Sequence, residues 1–194
     1  DYQFGFDKKE DMGYIMDIIY KMLGRSSNGA PYQVGDYYKN GKTEGIVFEV
    51  YDNGYSGKIV SLKHSDKIKK WRERGSLDIG KTFGVTDGRD IMYYRKMAES
   101  ITEDDAFGWC NRQGMGWYLP TIEELKSIYA NRAVIEPKLT HKFAKHSWSC
   151  TESSDNAAYF ISNNGYIGTC EKHYGCYVRA VKTFGKRVPR AKQK

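Results

Sequence analysis

Cysteine and histidine are the side chains best suited to covalent or metal chemistry, and this chain has four of each. The cysteines form neither a Cys-x-x-Cys pair nor a cysteine–histidine spacing that binds zinc. Cys170 and Cys176 are close enough in sequence to bridge across a loop, whereas Cys110 falls in a predicted helix. The even count, completed by Cys150, permits disulfides without requiring them. The sequence therefore leaves the redox compartment open.

The four histidines do not share one helix or strand at ligand spacing. His141 and His146 are five residues apart in a predicted loop, which is best explained as accidental placement. No glycine-rich phosphate motif follows a predicted strand. These patterns predict a protein that is not an enzyme and that uses neither a metal nor another cofactor.

Tyrosine is abundant, with sixteen among 194 residues. Residues 162–177 combine tyrosine with glycine, serine, threonine and histidine and have no apolar period. In binding loops, tyrosine provides rigid contact area while small residues allow adaptation. The same composition also suits a polar β-meander with exposed loops, so both interpretations stay open.

The net charge of +7 is concentrated at the carboxyl end. Residues 182–194 hold six cations and no acid, and subtracting these six from +7 leaves +1 for the rest. A groove for specific nucleic-acid binding is therefore not expected. The basic tail, residues 185–194, is either a solvated end or a contact for an anionic surface. No apolar run approaches the ~20 residues that span a bilayer, and no signal peptide is visible.

Residues 1–30 are predicted to form an N-terminal helix and a linker. Asp7 and Glu10 have capping-box spacing at the start of a helix over residues 7–23, and Gly24 ends it. Its apolar residues recur at helical intervals. This stripe either packs on the following domain or joins subunits into an oligomer.

The domain over residues 31–184 begins with a predicted hairpin. Residues 45–51 alternate as a strand does, Asp52-Asn53-Gly54 is a turn signal, and residues 58–62 return. Residues 64–95 are expected to be irregular, ordered loops.

Two helices are then predicted. The first starts at Thr102 with acids in its first turn, and the second starts at Thr121, with Glu124 completing a capping box. Short strands follow around Trp148, over residues 159–161 and 166–167, and over 177–184, with a turn at residues 163–165. The order of elements predicts an α+β fold of two helices, small antiparallel sheets and long ordered loops.

Three blocks carry a resemblance to a known family. They are residues 116–120 (Gly-Trp-Tyr-Leu-Pro), 147–152 (Ser-Trp-Ser-Cys-Thr-Glu) and 177–181 (Tyr-Val-Arg-Ala-Val). In this order they resemble C-type lectin-like domains of bacterial surface proteins, most closely the variable proteins of diversity-generating retroelements. The resemblance covers roughly residues 31–184. Cys150 stands where the family's Trp-Ser-Ser-Thr-Glu block has its second serine.

The resemblance implies a rigid scaffold and a variable binding face between the second and third blocks. Leu119 and Trp148 are expected to be buried against the sheet, and Arg179 to pair with Glu152 or Glu124. The full scaffold set is Trp117, Leu119, Pro120, Glu124, Trp148, Glu152 and Arg179. The predicted ligand contacts are Tyr159, Tyr166, Thr169, His173, Tyr174 and Tyr177, with Ser153, Asp155 and Asn156 at the rim.

Calcium-dependent sugar binding is not expected. Lectins that use calcium have a Glu-Pro-Asn or Gln-Pro-Asp loop and a Trp-Asn-Asp strand. This chain has Glu136-Pro137-Lys138, and a lysine at that position opposes a cation.

The resemblance implies a module that binds a protein ligand, displayed by a bacterium or phage at the cell surface, outside the cell or on a virion. Three alternatives stay open: a metal-independent glycan adhesin, a pilin-like subunit assembled through the 7–23 helix, and an oxidase similar to formylglycine-generating enzymes. The last shares a Leu-Pro-Thr-x-x-Glu block, here Leu119 to Glu124. It would need a reactive cysteine pair.

Overall fold

The computed structural model describes residues 31–72, 87–97, 101–102 and 104–185. The predicted 7–23 helix and most of the basic tail lie outside the described residues. The described part is a mixed α+β structure with four α-helices. The helices are α1 Gly88–Met97, α2 Ala106–Arg112, α3 Ile122–Ala130 and α4 Arg132–Ile135. The strands are β1 Tyr37–Asn40, β2 Thr43–Tyr51, β3 Ser56–Val60, β4 Lys69–Lys70, β5 Trp117–Tyr118, β6 His146–Glu152, β7 Ala157–Ser162, β8 Ile167–Glu171, β9 Gly175–Cys176 and β10 Val181–Phe184.

The largest sheet has five antiparallel strands in the order β1-β2-β3-β10-β5. The predicted hairpin is confirmed as β2 and β3. Asp52 and Asn53 have φ values of 50° and 53°, a left-handed turn conformation that short polar residues tolerate. Ile46 and Val60 pair across this hairpin and are fully buried in the core.

Helix α3 has the capping box that the sequence predicted. The Thr121 hydroxyl accepts a hydrogen bond from the Glu124 amide, and the Glu124 carboxylate accepts one from the Thr121 amide. Leu125 and Ile128 bury the apolar face of the helix. The helix contacts both β6 and β7, so its well-defined start helps to position these two strands.

Two predictions about the middle of the chain are wrong. Residues 64–95 were expected to be irregular throughout, but α1 begins at Gly88. The Asp87 carboxylate accepts a hydrogen bond from the Arg89 amide at 2.9 Å and so caps the helix. A Cβ on Gly88 would lie 2.7 Å from the Tyr118 ring, so this glycine allows close packing rather than marking a turn.

Helix α2 begins at Ala106 and not at Thr102. Asp105 is its N-cap residue and accepts a hydrogen bond from the Gly108 amide at 2.7 Å. Asp105 also accepts one from the Thr102 amide at 2.9 Å, which holds the preceding segment outside the helix. The predicted helix start was therefore four residues early, because the buried carboxylate selects the cap.

Strands β4 and β9 form a two-stranded antiparallel sheet. The third sheet has the order β6-β7-β8 and is antiparallel. Its β7–β8 hairpin turns at residues 163–165, as predicted. The predicted strand over 177–184 is only partly present. Residues 177–180 leave the ladder after one bridge from Tyr177 to Ser147, and β10 joins the larger sheet from Val181. One segment therefore connects the three-stranded sheet to the five-stranded sheet, because Tyr177 lies beside β6 and Val181 beside β3.

Candidate ligand-binding surface

The β6–β7–β8 sheet has two faces, which its register defines. Phe160 pairs with Trp148 and Gly168, whereas Ile161 pairs with Ser147 and Ile167. Side chains alternate between faces along a strand. The Phe160 face therefore carries His146, Trp148, Ala158, Phe160, Gly168 and Cys170, and the Ile161 face carries Ser147, Tyr159, Ile161, Ile167 and Thr169.

Aromatic rings cluster on the Phe160 face. The His146 and Phe160 rings are 4.8 Å apart between centroids in an edge-to-face arrangement. A Cβ on Gly168 would lie 2.6 Å from the Phe160 ring and 3.1 Å from the Tyr166 ring, so both rings lie over this glycine. Tyr166 is 65% exposed. These three side chains, His146, Phe160 and Tyr166, form what we call the aromatic platform.

A short loop over residues 171–175, the tyrosine loop, follows β8. The Tyr174 amide donates a hydrogen bond to the Glu171 carbonyl at 3.0 Å, which closes a turn. Tyr174 is 57% exposed, and its ring centroid is 4.4 Å from that of His173. The Glu171 carboxylate is 3.4 Å from the His173 ring nitrogen. The loop tip thus holds two adjacent, tilted rings, of which that of Tyr174 is the more exposed.

A buried lysine anchors this loop. Lys172 is only 2% exposed, and its ammonium group forms an ion pair with Glu152 and donates to the Asp155 carbonyl. The same ammonium group lies 4.7 Å from the Trp71 ring centroid. Because removing one partner of a buried ion pair leaves an uncompensated charge, this anchor fixes the loop strongly.

Two buried tryptophans connect β4 to β6. The Trp71 indole donates to the Ser149 carbonyl at 2.7 Å, and the Trp148 indole donates to the Lys69 carbonyl at 2.8 Å. The Arg95 guanidinium lies 4.4 Å from the Trp71 ring centroid, so α1 also contributes to this support. These two hydrogen bonds therefore hold β6 firmly against residues 69–71.

The structure divides the predicted contact residues into groups. Tyr166 belongs to the aromatic platform, and His173 and Tyr174 form the tip of the tyrosine loop. Tyr159 and Thr169 pair with each other on the opposite, Ile161 face. Tyr177 is half-buried with its ring 4.9 Å from that of His64. The predicted rim residues Ser153, Asp155 and Asn156 lie between β6 and β7, next to the Lys172 anchor.

Sequence reasoning missed His146 and Phe160. Both lie on strands with mostly buried neighbours, and nothing local distinguishes them from core residues. The feature that identifies Phe160 as a surface residue is the register of β7 against β8. The turn at residues 163–165 places Phe160 opposite Gly168, where the absence of a side chain leaves room for a ring.

The predicted scaffold side chains are buried, but one predicted pairing is wrong. Arg179 was expected to pair with Glu152 or Glu124. Glu152 instead pairs with Lys172, and Glu124 pairs with Lys58 at 2.8 Å. The Arg179 guanidinium donates to the backbone carbonyls of Ser61, His141 and Lys142, at 2.7, 2.5 and 3.1 Å.

A second buried polar cluster joins α3 to the larger sheet. The Lys58 ammonium is 2.8 Å from Glu124 and 3.0 Å from Glu49. Burial lowers the pKa of Lys58, but the two carboxylates more than offset this and raise it above its usual value. Tyr51 donates to Glu49 at 2.5 Å, and Tyr118 donates to Glu124 at 2.7 Å. This cluster is a structural support and lies away from the aromatic platform.

Within the described ranges, no group of three or more His, Cys, Asp and Glu side chains could hold a metal ion. In the same part of the chain, no helix has the length and apolar character needed to cross a membrane. All four cysteines are present as free thiols. Searches against protein-family models and against curated proteins find no match for this sequence.

Proposed function

We propose that this chain is a C-type lectin-like binding module that presents the aromatic platform and the tyrosine loop to a ligand. The observation that carries the proposal is the solvent exposure of Tyr166 and Tyr174 on a support of buried residues. Tyrosine in such a setting supplies contact area at a low cost in conformational entropy.

Support for the lectin-like fold comes from the order and packing of the elements. A β2–β3 hairpin is followed by α2 and α3, and then by the β6–β7–β8 sheet, while β10 returns to pair with β3. The three blocks of the resemblance contribute to this frame. Leu119, Trp148 and Arg179 are buried in it.

The ligand we propose is a protein on another cell or surface, and the module is displayed at the cell surface or on a virion. Tyr166 and Tyr174 are exposed, the Phe160 and His173 rings beside them are half-buried, and Asp155 and Glu171 give the region mixed polarity. This combination matches the composition of protein-binding loops.

A glycan is the second candidate, because the Phe160 and Tyr166 rings over Gly168 offer an apolar surface of the kind on which a sugar ring packs. The oxidase alternative would need a reactive cysteine pair, and Cys170 and Cys176 are the only close pair in the sequence.

The test is a binding screen on the full chain. The immobilised protein is presented with an array of purified bacterial surface proteins and with a glycan array. The double variant Tyr166→Ala/Tyr174→Ala should lose every specific signal that the native chain gives. The matched control Tyr93→Ala, which removes a tyrosine 59% exposed on α1, should retain it. Signals that survive the double variant would refute the proposed surface.

An independent observation tests the relation to retroelement proteins. In that case the encoding DNA should lie beside a reverse transcriptase gene and a near-copy of the codons for residues 147–181. The two copies should differ at adenines. Identical copies, or differences spread over all four bases, would argue against this relation and leave the binding screen unaffected.

A further inference from the structure

Strand β8 forms one edge of the β6–β7–β8 sheet. Two backbone hydrogen bonds bracket its pairing with β7. At one end the Ser162 amide donates to the Tyr166 carbonyl at 2.8 Å, and at the other the Lys172 amide donates to the Asn156 carbonyl at 2.9 Å. The register between these two bonds runs without a bulge. The two ends therefore fix which backbone groups of β8 face β7.

Hydrogen-bonded and non-hydrogen-bonded pairs alternate along an antiparallel ladder. Because residues 162 and 172 belong to hydrogen-bonded pairs, Gly168 and Cys170 also bond to β7. The N–H and C=O groups of Ile167, Thr169 and Glu171 therefore point away from β7. We call this side of the strand the outer edge of β8.

The outer edge of β8 is open over most of its length. Within the described ranges, its one backbone partner is the Tyr174 amide, which donates to the Glu171 carbonyl at 3.0 Å. The N–H and C=O groups of Ile167 and Thr169 have no protein partner among those residues. Ile167 is half-buried and Thr169 is exposed, so a second strand can approach these two residues.

The other edges of the two larger sheets are covered or protected. On β6, the Trp148 amide donates to the Tyr177 carbonyl and the Tyr177 amide donates to the His146 carbonyl, both at 3.0 Å. Strand β1 carries the exposed Lys39, a residue type that discourages edge pairing, and β5 is only two residues long. Strand β8 has no lysine, proline or bulge. It is the edge in the described part of the chain best suited to accept another strand.

We propose that two copies of this chain form a dimer in which β8 pairs with β8 of the second copy in antiparallel orientation. The two three-stranded sheets then become one sheet of six strands. In the register that we assign, Ile167 lies opposite the second copy's Thr169, and Gly168 lies at the two-fold axis. The same patch of both copies forms the contact, as in most protein dimers.

The backbone groups fit this register. Each copy offers two N–H and two C=O groups, those of Ile167 and Thr169, so four hydrogen bonds across the axis satisfy all of them. A register centred on Thr169 would instead need the Glu171 backbone, where the turn to Tyr174 already lies. The open part of the edge is therefore the part that the symmetric pairing uses.

The side chains fit as well. Ile167 and Thr169 are both β-branched and lie on the same face, and such cross-strand pairs stabilise a sheet. Glu171 is the one charged residue between positions 165 and 171, and this register places it opposite Gly165 of the second copy. The two carboxylates are therefore at opposite ends of the contact, and no like charges face each other.

The dimer would place two aromatic platforms on one face. Residues opposite each other in a sheet point to the same side, so Tyr166 of each copy lies on the shared Phe160 face near the axis. A ligand that repeats on a surface would then meet two binding faces at once, which raises the apparent affinity. This consequence rests on the proposed function, whereas the pairing itself does not.

The first test is sedimentation equilibrium on the full chain, in a reducing buffer so that free thiols cannot link chains. The contact is small, so the dimer should be weak. The apparent mass should rise with concentration towards twice the 22.3 kDa of one chain. A mass that stays at one chain up to about 1 mM would overturn the proposal.

A proline variant tests the edge itself. Thr169→Pro removes an N–H that points away from β7, so the ladder within the copy keeps its bonds while the dimer loses two of four. Dimerisation should weaken by about tenfold or more. Thr169→Val keeps the amide and the branched side chain and is the matched control. Equal self-association of the two folded variants would overturn the proposal, as would assembly through another element.

Amide hydrogen exchange, followed by NMR on the native chain, needs no variant. Exchange at Ile167 and Thr169 should slow as the concentration rises, while exchange in α3 stays the same. Protection of both amides at every concentration would mean that another segment of the same chain covers the edge, and would overturn the dimer. Because no readout involves a ligand, a failed binding screen would refute the proposed function and leave this inference standing.

Discussion

Among single residues, Tyr174 is the one whose substitution should most clearly weaken ligand binding without affecting the stability of the fold. More than half of its surface is exposed and its main contact is the neighbouring His173 ring. We expect Tyr174→Ala to weaken ligand binding by about 2 kcal/mol or more, which is roughly thirtyfold, while the melting temperature hardly changes. Isothermal titration and a thermal melt measure the two quantities. Equal loss of both would place Tyr174 in the core instead.

Arg179 represents the opposite kind of residue. Its guanidinium is buried and donates to three backbone carbonyls in two separate loops. Burial lowers its pKa to about 10, and Tyr129 and Glu136 oppose this effect. The three hydrogen bonds also offset the cost of burying the charge. Arg179→Met should lower the free energy of unfolding by roughly 3 kcal/mol, because three carbonyls lose a charged donor.

Urea denaturation measures this loss. Arg132→Met is the matched control, since Arg132 is partly exposed and its ion pair with Glu136 is of the surface kind, which contributes about 1 kcal/mol or less. A similar loss of unfolding free energy in both variants would mean that the Arg179 hydrogen bonds stabilise the fold no more than a surface ion pair does.

At the scale of the element, the start of α3 should be sensitive to its cap. Thr121→Ala removes the hydroxyl that accepts from the Glu124 amide and should cost about 1 kcal/mol of folding free energy. Thr121→Ser keeps the acceptor and should recover most of this loss. Thr140→Ala, at an exposed site outside any helix, is the control. No difference between the alanine and serine variants would contradict the capping role.

The β2–β3 hairpin should lose stability in alkaline solution. Burial and the hydrogen bond to Glu49 raise the pKa of Tyr51 from 10.0 to about 12, and the pKa of Lys58 is raised as well. Groups with a raised pKa stabilise the fold fully below their unfolded pKa, here about 10, and lose that contribution as the pH rises through the folded value. Stability should therefore fall between pH 10 and pH 12.

Tyr51→Phe tests the assignment, since it removes one of the groups that titrate in this interval. Its free energy of unfolding should fall less steeply with pH over this interval than that of the native chain. Tyr93→Phe, on the exposed side of α1, should leave the slope as it is. A slope unchanged by Tyr51→Phe would show that other groups cause the alkaline loss.

The elements that the sequence predicted correctly are those specified by nearby residues. Thr121 and Glu124 cap α3 from three residues apart, and Asp52-Asn53-Gly54 turns the first hairpin with its own backbone preferences. Helix α1 was missed because Asp87-Gly88 has the composition of a turn. Its glycine is explained only by the Tyr118 ring, thirty residues away in the sequence.

At the scale of the whole molecule, the aromatic platform illustrates what sequence patterns could not supply. The tyrosine-rich segment was visible in the sequence. In the structure Tyr166 and Tyr174 are exposed and His173 is half-buried. Tyr159 and Phe160 lie on opposite faces of the sheet, and only the strand register shows which face each residue occupies. The partner of Arg179 depended on which carboxylates other cations had already neutralised. Such competition is decided by the assembled fold.

We expect chelation to leave the protein unchanged, because Lys172 and Lys58 neutralise the buried carboxylates of Glu152 and Glu124. Treatment with EDTA should leave the melting temperature and any measured ligand affinity unchanged within error. A fall in either after chelation, reversed by adding calcium, would contradict this expectation.

Gly168 has a consequence for how this protein could change over generations. Two rings occupy the volume into which any Cβ at this position would project. Replacing the glycine would displace the Phe160 and Tyr166 rings. The effect of every neighbouring substitution would then change, because the surface around it would have a different shape. A lineage that acquires new partners by substituting exposed residues should therefore keep this glycine, because any side chain here would displace the two rings around which those residues are arranged.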